Sequence, residues 1–120
     1  MTESIESRRF DATPEVLFPV LMAFDRYPQW WPEEWAFKLH PDHQEPPFGV
    51  GTAFSIAPQE FLFDCEVVDV EPDRRLLWHF NSPLIYGRTS WVLDRRGEQT
   101  DVIVTLEFKG RGKMLWAWPF

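Results

Sequence analysis

The sequence predicts an α+β domain in which one curved antiparallel sheet carries its helical elements on a single side. Two observations lead to this class. Residues 14–24 have the apolar spacing of a helix that packs on one face. After residue 34, apolar and polar residues alternate in about six consecutive segments joined by short turns. This order calls for an antiparallel meander whose apolar face has to be covered.

The first third of the chain predicts a strand, a helix and a short plug. Residues 4–10 are expected to form the strand, and Thr13 and Pro14 are expected to cap and begin the helix. Pro19 should kink this helix because it removes a backbone donor. Residues 25–32, bounded by prolines, predict a turn or single helical turn that buries its rings. The apolar stripe of the helix is Val16, Leu17, Val20, Leu21 and Phe24.

The later segments have the period of two that half-buried strands require. The apolar positions change parity near Val67, which predicts a β-bulge there. Three prolines and two glycines make residues 41–51 a loop, and turns are expected at 71–73 and 95–98. The predicted strands are 35–40, 52–57, 61–70, 75–82, 86–94 and 101–108.

Length and charge limit the function classes. The 120 residues are the length of one domain, so we expect a single domain over residues 1–120. The net charge of −7 disfavours phosphate backbones and anionic membrane surfaces as partners. No apolar stretch approaches the roughly 20 residues that cross a bilayer, and the polar start has no signal-peptide core. We expect a soluble cytoplasmic protein that binds no nucleic acid and does not insert into membranes.

Cys65 is the only cysteine, which excludes an intrachain disulfide and a thiolate metal cluster. Its position in an alternating segment predicts a buried structural thiol, because free cysteine is among the most buried residue types. Stability should therefore come from packing.

Aromatic residues make up 17% of the chain and include seven tryptophans. Large rings either fill a thick core or line a cavity, and composition leaves both possibilities open. The face expected to point inward carries hardly any charge, and its available polar groups are Cys65, Asp69, Ser82 and Thr89. Its other residues are Trp35, Phe37, Phe54, Ile56, Phe61, Phe63, Trp78, Phe80, Trp91, Val104 and Leu106.

Several stretches resemble a known family. ATPEVLF at 12–18 and FDRYPQWWP at 24–32 are similar to the helix, turn and paired tryptophans of the polyketide cyclase/dehydrase branch of the START and Bet v 1-like superfamily, also called SRPBCC proteins. VDVEPDRRL at 68–76 and GRTSWVL at 87–93 resemble its later hairpins. The resemblance covers roughly residues 4–110 and implies the helix-grip fold, in which a curved sheet encloses an apolar cavity.

The resemblance also implies a long C-terminal helix that closes the cavity. Only residues 110–120 follow the last predicted strand, and eleven residues at 1.5 Å rise are too few for such a helix. We expect that the grip helix is truncated, or that a partner chain covers the open face. If these 120 residues are the whole protein, the exposed rings should drive homodimer formation or poor solubility.

Few residues offer recognisable chemistry. His79 can in principle act as a general base, but the alternation places it on the solvated face. His40 and His43 have a spacing compatible with a metal, although an exposed polar loop is the favoured interpretation. Arg88 and Tyr86 share a strand face, and they would enter the pocket only if the inward and outward positions of that strand were reversed. In the pocket, Arg88 could hold a carboxylate or enolate oxygen.

Motifs of the common cofactor enzymes are absent from the sequence: it has no P-loop, dinucleotide fingerprint, Gly-x-Ser-x-Gly or paired zinc motif. No cofactor and no metal are therefore expected, and the catalytic residues, if any, are unassigned.

The predicted function is binding of a small hydrophobic molecule, such as a lipid, polyketide or aromatic metabolite, in an apolar cavity. The resemblance implies two alternatives, a cyclase or aromatase that holds a reactive chain in one folded shape and a protein-interaction module similar to co-chaperones of this architecture. The residues expected to contact the ligand are Trp31, Trp35, Phe37, Phe54, Phe63, Trp78, Phe80, Tyr86, Arg88 and Trp91.

Overall fold

The computed structural model describes residues 2–58 and 61–110, which form a seven-stranded antiparallel sheet, one α-helix and two short 3-10 helices. The predicted α+β class is confirmed. In chain order the elements are β1 (Thr2–Phe10), α1 (Pro14–Met22), a 3-10 helix (Phe24–Gln29) that we call the plug, β2 (Trp35–Leu39), a 3-10 turn (Pro41–His43), β3 (Ala53–Pro58), β4 (Phe63–Glu71), β5 (Arg75–Asn81), β6 (Ile85–Arg96) and β7 (Gln99–Gly110).

The strands lie in the order β1-β7-β6-β5-β4-β3-β2, and every neighbouring pair is antiparallel. From β2 to β7 each strand pairs with the next one along the chain, which is the predicted meander. β1 pairs with β7, so β1 and β2 form the two edges of the sheet in the described part of the chain. Residues 111–120, on which the expectation about the grip helix falls, lie outside the described residues.

Strand pairing divides the side chains into two faces, because directly paired residues point to the same side of a sheet. We call inner the face on which the plug packs. Lys38, Asp64, Glu66, His79 and Arg88 lie on the opposite, outer face. The inner positions of β2 to β7 are Trp35, Phe37, Leu39, Phe54, Ile56, Pro58, Phe63, Cys65, Val67, Val70, Leu76, Trp78, Phe80, Ile85, Gly87, Thr89, Trp91, Leu93, Arg95, Thr100, Val102, Val104, Leu106, Phe108 and Gly110.

Helix α1 packs with a different stripe from the one expected. Its buried residues are Pro14, Phe18 and Leu21, at the i, i+4 and i+7 spacing of one helix face. Val16 and Val20 are 60% and 49% exposed, so their assignment to the packed stripe is wrong. The helix's own apolar side chains are spread around most of its circumference. The sequence pattern therefore does not define which face packs on the sheet. The helix continues through Pro19.

Strand β4 contains the bulge that the change of parity predicts. Its pairing with β5 shifts between Val67 and Asp69, which leaves Val68 as an extra residue. As a result Val67 and Val70 both face inward, whereas Asp69 faces outward and pairs with Arg75. Asp69 is thus not available to an inner pocket.

Phe61 also departs from expectation. It precedes β4 and is 42% exposed, so it belongs neither to that strand nor to the packed core. The predicted strand began two residues too early because Phe61 continues the alternation of Phe63 and Cys65.

Side-chain contacts tie the helical segment and the edge strand to the sheet. The hydroxyl of the fully buried Tyr27 donates to the Leu21 carbonyl at 2.6 Å, which joins the plug to α1. Thr100 of β7 donates to the Ala12 carbonyl at 2.7 Å, just before α1 begins. At the other face, the bidentate pair of Arg9 with Asp101, with Nε to Oδ1 at 2.7 Å, links β1 to β7 and holds the pKa of the Asp101 carboxyl below its usual range.

Gly87 permits a close approach on the inner face of β6. A Cβ built on it would lie 2.0 Å from the Glu107 carbonyl oxygen and 2.8 Å from the ring of Phe80. Phe80 is the paired residue on β5, so its ring occupies the space that a side chain at position 87 would need. The requirement for glycine is therefore steric and includes backbone atoms that cannot turn away.

Replacing this glycine should destabilise the fold. We expect Gly87→Ala to lower the free energy of unfolding by about 1–3 kcal/mol, the range for overpacked sites, as measured by urea denaturation. Gly49→Ala is the matched control, because a Cβ at Gly49 meets nothing within 4 Å, and it should change stability by about 0.5 kcal/mol at most. Equal losses in the two variants would contradict the steric interpretation.

Candidate functional site: the inner face of the sheet

A cluster of aromatic rings around Phe24 of the plug fills one half of the inner face. Phe24 is fully buried, and its ring centroid lies 4.9 Å from that of Tyr27, 5.4 Å from that of Phe54 and 6.3 Å from that of Trp78. Phe37 stacks on Phe54 with centroids 4.9 Å apart. These are the separations of aromatic pairs in contact. This half of the face is therefore packed core.

The other half of the inner face, on β6, β7 and the start of β4, is only partly covered by the described residues. We call its side chains the open apolar surface. They pack against the buried core but keep part of their area accessible. The two interpretations of the aromatic content, a filled core and a lined surface, thus apply to different halves of one sheet. The open apolar surface consists of Phe63, Ile85, Trp91, Val104, Leu106 and Phe108.

Charge is nearly absent from the inner positions of β2 to β7. Among the described residues there, the titratable side chains are Cys65 and Arg95. Arg95 forms an ion pair with Glu15 at the start of α1, at the far end of the strand from Ile85. Burial raises the pKa of the Cys65 thiol to about 12, which keeps it protonated and unreactive at neutral pH. The predicted buried structural thiol is confirmed by its 4% exposure.

Polar groups on the open half come from β6. Thr89 and Trp91 are alternate residues that both face inward. Thr89 is 9% exposed. Nε1 of Trp91 is a buried donor that has no hydrogen-bond partner among the described residues. Such an unpaired donor is rare in folded proteins, because it has lost its hydrogen bonds to water without replacement.

Six of the residues expected to bind a ligand lie on the inner face in contact with other rings. Phe37, Phe54 and Trp78 belong to the filled core. Phe63 and Phe80 meet edge to face at 5.7 Å where the filled and open halves join. Trp91 lies beyond them, with its ring centroid 5.8 Å from that of Trp78.

Two further predicted residues, Trp31 and Trp35, lie at the β2 edge. The half-buried Trp31 stacks against Tyr27 at 5.6 Å and donates from Nε1 to the Trp35 carbonyl at 2.7 Å. Trp35 itself is 49% exposed. These two tryptophans close the edge of the filled core and are separated from the open apolar surface by that core.

Tyr86 and Arg88 lie on the outer face, so the parity of β6 is not reversed. Arg88 pairs directly with His79 on β5 and with Glu107 on β7, and its Nη2 atom lies 3.0 Å from the Glu107 carboxylate. His79 is exposed on the same outer row, in agreement with the solvated position that the alternation predicts. The structure does not bring this arginine to the aromatic side of the sheet.

Rings absent from the predicted set also fill the site. Phe24 and Tyr27 form its centre, and Phe48 meets Phe24 edge to face at 5.8 Å. The sequence placed Phe24 at the end of the α1 stripe, which was a usable signal for burial. Phe48 follows two prolines in an irregular loop, where no period indicates which side chains turn inward.

The remaining polar candidates are engaged in local structure. Nδ1 of His40 accepts from the Asp42 amide at 3.1 Å, and Nδ1 of His43 accepts from the Ala53 amide at 2.9 Å. In the described part of the chain, no three His, Cys, Asp or Glu side chains group as metal ligands would. Ser82 accepts from the amides of Leu84 and Ile85 and so shapes the β5–β6 turn.

The outer face carries a shallow groove of about 720 Å³. It crosses β2 to β5, and its floor is the sheet backbone. Both acids and bases line it, including Lys38, Asp64, Glu66 and His79, and its walls are open to solvent. The groove therefore lacks the enclosed, uncharged lining that small hydrophobic ligands require. None of the helices in the described residues is long and apolar enough to span a membrane.

Comparison with known families agrees with this geometry. A family model described as "Polyketide cyclase / dehydrase and lipid transport" matches residues 1–119. The chain belongs to this family. No curated protein matches the chain. Membership confirms the resemblance found in the sequence and supports a role in ligand binding or cyclisation.

Solved structures share the fold at low sequence identity. Zhui aromatase/cyclase from a Streptomyces species is 15% identical with a TM-score of 0.73, over 92% of this chain and 69% of that one. Norcoclaurine synthase from Thalictrum flavum is 12% identical with a TM-score of 0.73, over 96% and 73%. The Aha1 dimer from Colwellia psychrerythraea is 17% identical with a TM-score of 0.69, over 98% and 84%. These matches confirm the helix-grip fold class. Some solved structures with this fold are longer, and the chain spans 40% of one.

Cys65 should make the protein less stable at high pH. Its pKa is raised to about 12 by burial and secondarily by Asp64, whereas a thiol in an unfolded chain ionises near pH 8.5. Between these values unfolding releases a proton, so rising pH favours the unfolded state. Relative to Cys65→Ala, the wild-type free energy of unfolding should fall by up to about 1.4 kcal/mol per pH unit above pH 9. Urea denaturation under reducing conditions at pH 8, 9 and 10 measures it. A difference independent of pH would contradict the buried, protonated thiol.

Proposed function

We propose that this protein binds a small hydrophobic molecule of the lipid, polyketide or aromatic metabolite kind against the open apolar surface. The observation that carries the proposal is the contrast between the faces of the sheet. Phe63 of β4 and the inner positions of β6 and β7 present partly accessible apolar side chains, whereas the outer positions of β4 to β7 carry ion pairs. Each Å² of apolar area that a ligand removes from water contributes about 25 cal/mol to binding.

The filled core supplies the rigid floor of the proposed site. Trp78 is 2% exposed and contacts both Phe54 in the core and Trp91 on the open half. A ligand that lies on Trp91, Phe63 and Phe80 would therefore meet side chains that are already held in place. Such preorganisation favours binding, because little conformational freedom is lost when the ligand arrives.

The family description also allows a cyclase-type enzyme, but the geometry offers that alternative little support. Arg88 and Tyr86, the residues considered for holding an enolate oxygen, are on the outer face, and Arg88 is paired with Glu107. The inner thiol of Cys65 is protonated. We therefore favour a noncatalytic carrier or sensor.

Self-association stays a prediction. A second copy of the chain could cover the same open apolar surface, and one solved structure with this fold is described as a dimer. The two occupants compete for one face, so a ligand that binds there should shift any dimer toward monomer.

Two variants test the location of the site. Leu106 belongs to the open apolar surface, and its chain neighbour Thr105 points to the outer face. We expect Leu106→Glu to weaken the binding of 2-ethylnaphthalene by at least about tenfold, because the ligand would have to desolvate a carboxylate, and Thr105→Glu to leave it unchanged. Isothermal titration calorimetry with the full chain measures both.

Native mass spectrometry of freshly purified protein complements these variants, since a retained molecule would add a defined mass. If no apolar probe binds the wild-type chain, or if Thr105→Glu weakens binding as much as Leu106→Glu, the proposed site is wrong.

A further inference from the structure

We propose that the indole N–H of Trp91 selects ligands that carry an oxygen acceptor, such as a carbonyl, over hydrocarbons of the same shape. This inference rests on the proposed function, since it concerns the same open apolar surface. It assigns to Trp91 a role beyond apolar contact, that of the donor that orients the ligand.

The first argument is the unpaired donor itself. Nε1 of Trp91 is buried and finds no acceptor among the described residues, and it is the one such side-chain atom found in that part of the protein. Elsewhere in the described residues, the indole of Trp31 donates to the Trp35 carbonyl and the hydroxyl of Tyr27 donates to the Leu21 carbonyl. A tryptophan needed only for its apolar area could be replaced by phenylalanine without leaving a donor unsatisfied.

The second argument is the position of the ring. Trp91 is paired with Leu76 on β5 and with Val104 on β7, so apolar side chains flank it on both sides. Beyond Val104, the next residue paired across the sheet is Glu6 on β1, two strands from Trp91 and about 9.6 Å away. The residues paired with Trp91 on the neighbouring strands thus provide no acceptor beside the indole, and a bound molecule is well placed to supply one.

The third argument is that the donor can become accessible. Part of the Trp91 side chain is exposed although Nε1 is buried. The torsion between Cβ and the indole of tryptophan has a broad energy minimum, so a modest rotation can turn Nε1 toward a ligand. Thr89 lies two residues before it on the same face, about 7 Å along the strand, and adds a hydroxyl to an otherwise apolar surface.

The test compares two probes of nearly equal shape, 2-acetylnaphthalene and 2-isopropenylnaphthalene, by calorimetry on the full chain. We expect the wild type to bind the ketone about tenfold more tightly, which corresponds to one hydrogen bond formed by a donor that was unpaired. Trp91→Phe should bring the two affinities together, because it removes the donor and reduces the apolar contact of both probes alike. Trp30→Phe is the matched control, because it removes an indole N–H from the residue just after the plug, and it should keep the wild-type preference.

A second readout does not depend on a variant that folds. In ¹⁵N-labelled wild type, the indole N–H resonance assigned to Trp91 should move downfield with the ketone and much less with the hydrocarbon. If both probes bind and wild type shows no preference, or if Trp91→Phe keeps the preference, the selection by Trp91 is wrong and the hydrophobic site remains. If neither probe binds, both the selection and the proposed function are overturned.

Discussion

The architecture depends on the burial of one ring, that of Phe24. The plug is short, and a single 3-10 helix of six residues has little intrinsic stability. It is held because Phe24 contacts rings from β2, β3 and β5 and the neighbouring Tyr27. That contact fixes how far the helical segment covers the inner face, and therefore where the filled core ends and the open apolar surface begins.

The second constraint is register. A slip of one residue in β6 would turn Trp91 and Thr89 to solvent and bring Arg88 and Ser90 inward. Two features prevent such a slip. The position opposite Phe80 accepts only glycine, which Gly87 supplies. The ion pairs of Arg88 with Glu107 and of Arg9 with Asp101 on the outer face form in the same register. The exposed ion pairs add little stability, but they make the outer face unsuitable for burial.

Alternation in the sequence was sufficient to predict most of the sheet, including the start of β2, the bulge near Val67 and the outward direction of His79. It predicted the site only in part. The helix is apolar all round, so Val16 and Val20 could not be separated from Phe18 by period. Phe48 turns inward from an irregular loop. Above all, a period of two assigns a side chain to a face but says nothing about whether a plug covers it. The rings therefore could not be divided between filled and open halves in advance.

The division of the inner face also explains how an apolar surface can stay partly accessible while the strands that carry it remain ordered. β6 and β7, each 12 residues long, pair with each other over their full length and carry most of the open apolar surface. Their backbone hydrogen bonds order the surface independently of any occupant. The plug stabilises the opposite half, which is where the largest side chains are fully buried. The open half is therefore the part of the inner face that a ligand can reach, and its polar atoms are left to determine which ligand fits.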